Sequence, residues 1–129
     1  MNDPVKEFCL QKSYAQHVVE GGLDYLTTSW EKTCRQIAAG YSLGFDDFLN
    51  DMDGRRILDE VFQVATEEQK QSIQSRLKKA DELFIASTAE SVACIWGKAN
   101  EERLGYLRGK NWYYYRIPIG LPDWSVIMW

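Results

Sequence analysis

The sequence predicts a mainly α fold: a bundle of four to five helices around one core, closed by a short β or extended C-terminal segment. Three observations carry this. No proline falls between Pro4 and Pro118, so that long span lacks the residue that breaks helices. Apolar residues recur at helical spacing from the first quarter of the chain to Ile85. Strong β-formers concentrate in one place, Asn111–Ile117, directly ahead of Pro118.

Taken in order, the first helical signal runs from Ser13 to Ala39 and is interrupted at Gly21-Gly22. Glycine costs about 1 kcal/mol in a helix interior, so the pair predicts a break or kink. Beyond it, Leu26, Trp30, Cys34, Ile37 and Tyr41 fall on one helix face, with Asp24 as the expected N-cap. Gly40 is placed to end the helix in the left-handed conformation. Phe45, Phe48, Leu49 and Met52 form the next stripe, and Ile57, Leu58, Val61, Phe62 and Ala65 a second one out of phase with it. Two short helices meeting near Asp53-Gly54 account for the shift, and one helix twisted there is the alternative. Thr66-Glu67-Glu68-Gln69 is a capping box opening a helix to about Ile85, with Ile73, Leu77, Ala80, Leu83 and Phe84 inward. Ser91–Trp96 reads as a strand or a helical turn, and Asn100–Gly109 as a loop. In Asn111–Ile117 a strand would send Tyr113, Tyr115 and Ile117 one way and Trp112, Tyr114 and Arg116 the other. Trp124 and Trp129 are expected to pack down or meet a partner.

The 129 residues suit one domain, 1–129, its first few residues expected to be disordered. Apolar residues at 45% and charged residues at 26% argue for a folded globular protein. A net charge of -4 opposes nucleic acid and anionic membranes and favours a basic partner. Neither a secretory leader nor a membrane span is visible, so a cytoplasmic location is expected. Cys9, Cys34 and Cys94 are odd in number and lack any CxxC spacing, which predicts reduced, buried thiols. With His17 the only histidine, neither a zinc site nor a Cys–His dyad is favoured. The nine glycines form no phosphate-binding motif. No cofactor and no metal is expected.

The densest chemical pattern is Phe45–Arg56, where Asp46, Asp47, Asp51 and Asp53 share a helical segment with an apolar stripe. Asp51-Met52-Asp53-Gly54 imitates the middle of a calcium loop with Glu60 at its twelfth position. Leu49 then stands where the first aspartate belongs, and Arg55 and Arg56 add positive charge. The plain reading is helix-start acids at Asp46 and Asp47, with Asp51 and Asp59 as surface ion pairs of Arg55. The functional readings are a partner-facing acidic patch and a metal or catalytic carboxylate site. Trp112–Tyr115, flanked by Arg108, Lys110 and Arg116, is similarly open to three readings: core strand, interface anchors, or a stacking platform for single-stranded nucleic acid.

The Asp46–Arg55 segment, DDFLNDMDGR, resembles a DDYLNDLDxR signature of small bacterial cytosolic proteins without an assigned activity. Trp112–Pro118, WYYYRIP, resembles the WWYxRxP segment of the same proteins, and Asp81–Phe84 and Cys94–Gly97 are also similar to them. The resemblance spans about residues 30–118 and implies a shared fold and cytosolic location. The small acidic build also resembles bacterial immunity proteins as a type. The function expected is non-enzymatic protein binding, with an immunity-type inhibitor of a basic toxin domain as one form of it. The expected partner-binding residues are Asp46, Asp47, Asp51, Asp53, Trp112, Tyr114 and Arg116. The alternatives are a small metal-dependent enzyme using the Asp46–Asp53 cluster, and a homodimer of structural role.

Overall fold

The computed structural model describes residues 3–127. It is mainly helical, with one short antiparallel strand pair. The elements are α1 (Pro4–Gln11), α2 (Gln16–Ala38), α3 (Phe45–Val64), α4 (Glu67–Ser87), β1 (Thr88–Glu90), α5 (Lys98–Leu104), a 3-10 turn (Trp112–Tyr115), β2 (Arg116–Pro118) and α6 (Trp124–Ile127). α2 packs along both α3 and α4, and α1 lies across α2 and α3. β1 pairs with β2 so that Ala89 faces Ile117. No helix among the described residues is long and apolar enough to cross a membrane. Met1, Asn2 and Trp129, for which disorder or packing was expected, lie outside the described residues.

α1 has no counterpart in the sequence reading, although its start signal is present. Asp3 caps it, Oδ1 accepting from the Val5 and Lys6 amides at 3.0 and 3.2 Å, and Pro4 opens the first turn. Gln69 Nε2 also donates to Asp3 Oδ1 at 3.0 Å, which ties the start of α1 to the start of α4. α2 breaks at Gly22, whose φ of 56° lies in the left-handed region. Beyond the break, Leu26, Trp30, Cys34, Ile37 and Tyr41 are all buried. Asp24 is not a cap. It follows the restart by two residues and its carboxylate accepts from Arg76 of α4 at 2.7 Å. Gly40 takes a φ of 103°, as its place after the helix predicts.

α3 is one helix rather than two. Phe45, Phe48 and Met52 are followed inward by Arg55, Leu58 and Val61, all buried. Each step of three residues turns the inward direction by about 60°. The buried stripe therefore winds around α3. The apparent phase break comes from a charged residue occupying a core position. The Thr66 box forms as expected, with both reciprocal hydrogen bonds. Ile73, Ala80 and Phe84 are buried and Leu77 is half-buried, but Leu83 faces out.

Two further expectations are overturned. Helix α5, Lys98–Leu104, takes up the first part of Asn100–Gly109, which was expected to be loop, and buries none of its own residues. It lacks an apolar stripe and is anchored by polar contacts. Tyr115 Oη donates to Glu101 at 2.5 Å and Asn100 Nδ2 to the Trp96 carbonyl at 2.9 Å. The expected strand Asn111–Ile117 is a 3-10 turn leading into β2. Three residues per turn send successive side chains in three directions, so Tyr113, Tyr114 and Tyr115 are all buried instead of alternating.

Gly54 has ordinary helical geometry, and a Cβ there would meet nothing within 4 Å. Gly54→Ala should therefore raise the unfolding free energy by about 0.5–1 kcal/mol in urea denaturation.

Candidate functional site

The inward path of α3 carries Arg55 into the core, 5% exposed. A guanidinium there needs its counter-charge at hydrogen-bonding distance, and α4 supplies Asp81. Arg55 Nε donates to Asp81 Oδ1 at 3.1 Å and Nη2 to Oδ2 at 2.9 Å, a bidentate pair. Trp30 of α2 adds its indole N–H to the same carboxylate at 2.8 Å. The Arg55 guanidinium carbon lies 5.3 Å from the Tyr113 ring centre and 5.7 Å from those of Trp30 and Trp112. One charge pair thus joins α2, α3, α4 and the aromatic turn. Neither partner was assigned this role from the sequence. Arg55 was expected at the surface with Asp51 and Asp59. Asp59 stands 3.9 Å from it, and Asp51 bonds elsewhere.

Arg56, one position on, points to the other side and collects Asp53 at 2.9 Å and Glu60 at 2.5 Å. The acids at the start of α3 differ. Asp46 and Asp47 are exposed and make no ion pair among the described residues, although Asp47 Oδ2 accepts from the Gly44 amide at 3.1 Å. Asp51 is half-buried and accepts from Tyr41 Oη at 2.7 Å. Burial pushes its carboxyl up, and Asp47 adds to this. The Tyr41 bond and the charge of Lys32 oppose them.

Of the aromatic candidates, Trp112 is half-buried, packed edge-on against Phe84 at 5.8 Å. Tyr114 is fully buried between Trp96 and Tyr106 and contributes to the core, not to a contact surface. Arg116 spends its donors inside the chain, on Thr88 Oγ1 at 2.7 Å and on the Thr88 and Ile85 carbonyls. No described contact links Asp46, Asp47 or Asp51 to Trp112, Tyr114 or Arg116, so the expected partner-binding residues divide into separate groups.

The remaining chemistry is quiet. All three cysteines are buried and free, and burial pushes each thiol up, away from the nucleophilic thiolate. His17 is exposed and packs edge-on against Tyr25. Among the described residues no three His, Cys, Asp or Glu side chains converge as metal ligands. The calcium-loop pattern falls within the continuous helix α3. No family model, curated protein or solved structure matches the chain.

Removing Asp81 would leave Arg55 buried and the Trp30 N–H unpaired. Asp81→Ala should cost about 3–5 kcal/mol in urea denaturation, and the Arg55→Met/Asp81→Leu double variant distinctly less. A second outcome follows from Asp51. Its raised native pKa means that the folded state binds its proton more tightly than the unfolded state. That stability is present at low pH and lost as pH rises through the native value. Asp51→Asn should therefore raise the melting midpoint at pH 7 relative to wild type, and the gain should shrink below the ordinary aspartate range.

Proposed function

We propose that the protein is a non-enzymatic binding module whose acidic face docks on a basic protein surface, in the manner of an immunity-type inhibitor of a toxin. The observation that supports this is how charge is distributed along α3. Its later acids are beside arginines: Asp53 and Glu60 share Arg56, and Asp59 stands near Arg55. At its start, Asp46 and Asp47 have no ion pair among the described residues, and Asp51 bonds a neutral phenol. These carboxylates have no ion pair among the described residues and repel one another, and a basic partner relieves that repulsion. Leu43, 46% exposed just ahead of α3, offers apolar contact beside them. The contacts of Tyr114 and Arg116 lie within the fold, so the proposed face narrows to Asp46, Asp47 and the exposed edge of Asp51.

The test is a pull-down from native cytosol with wild type and an Asp46→Lys/Asp47→Asn variant. Asparagine keeps an acceptor for the Gly44 amide, and both changed positions are exposed, so the fold should hold. A stoichiometric basic protein should be recovered by wild type, its affinity for the variant about tenfold weaker at low salt. Equal recovery by both proteins would refute the face.

A further inference from the structure

A cleft of about 560 Å³ lies between the second half of α3 and the chain that follows α5. That volume is in the range of small-molecule sites. Arg56 and Glu60 line one wall but are taken up by each other at 2.5 Å. Asp59, on the same wall, is different. Its carboxylate accepts no hydrogen bond among the described residues, and its nearest cation is Arg55 Nη1 at 3.9 Å. That nitrogen is buried without a hydrogen-bond partner, because the other Arg55 donors are committed to Asp81. Asp59 thus has a cation behind it while its side chain remains about a third exposed, at 32%. From the other wall comes Lys110, exposed and without an ion pair among the described residues. Asp59 and Lys110 make no ion pair with each other among the described residues. Leu104 and Tyr106 also line the cleft.

We infer that this cleft binds a small zwitterion, a free neutral amino acid with an apolar side chain. Its ammonium would donate to Asp59, its carboxylate would meet Lys110, and its side chain would lie against Leu104 and Tyr106. A simple cation is repelled by Lys110, and a simple anion by Asp59. A molecule with both charges satisfies each wall and brings no net charge into the cleft. The site uses none of the residues of the proposed partner face, so either can fail without the other.

The test is saturation-transfer NMR on the full chain with an equimolar mixture of leucine, isoleucine, methionine and phenylalanine. The strongest responder is then titrated beside its N-acetyl amide form, which has the same side chain and neither charge. The zwitterion should bind and the blocked form should not. Asp59→Asn and Lys110→Met should each weaken binding about tenfold, the loss of one charge-assisted contact. Both positions are solvent-accessible, and unchanged melting curves would show that the fold is kept. Absence of binding by wild type at roughly 10 mM ligand, equal binding of the blocked form, or full affinity in both variants would each overturn the site.

Discussion

The charge pair Arg55–Asp81 is the constraint on which the rest of this structure depends. A guanidinium taken out of water must recover its lost hydration through bonds of fixed geometry, and a carboxylate must do the same. Here the solution is a bidentate pair with an indole N–H as third donor and three aromatic rings around the cation. Apolar contacts between helices are non-directional and tolerate sliding. This arrangement does not. It sets the rotation of α3, the register of α4 beside α2, and the place of the Trp112–Tyr115 turn together.

The same pair shapes the surface. With Nε and Nη2 of Arg55 fixed on Asp81, its Nη1 stops 3.9 Å short of Asp59, which lines a cleft. Arg56 takes Asp53 and Glu60. Two arginines thus meet the acids of the middle and end of α3, and none is left for its beginning. The exposed Asp46 and Asp47 are consequences of where the cations went. The raised pKa of Asp51 has another origin, its half-burial beside Tyr41, to which Asp47 adds.

Much of the framework was legible in the residues. The stripe Leu26 to Tyr41, the glycine break, the Thr66 box and the Gly40 terminus rest on interactions between residues close in the chain. The capping signal of Asp3-Pro4 was equally local and was present to be read. The candidate site was less legible. The acidic character of α3 could be seen, but which aspartates are free depends on Arg55 and Arg56 choosing partners, one of them 26 residues away. Tyr114 looked like an anchor because aromatic residues serve interfaces and cores alike.

The sequence by itself determined the helical class, the order of the long helices and most of their ends, because caps, glycine conformations and apolar periodicity are local physical effects. Tertiary structure alone decided that Arg55 is a core residue, that α3 continues through Gly54, that three consecutive tyrosines are buried in three directions, and that the polar segment Lys98–Leu104 is helical. Each of these has unfavourable or undecided local energetics. A buried charge, a helical glycine, a tight turn of β-forming residues and a helix without an apolar stripe become stable only when distant groups supply the missing partner. Those partners, Asp81, the packing of α3 along α2 and α1, Trp96 and Tyr106, and the Tyr115 hydroxyl, are brought into place only by the folded chain.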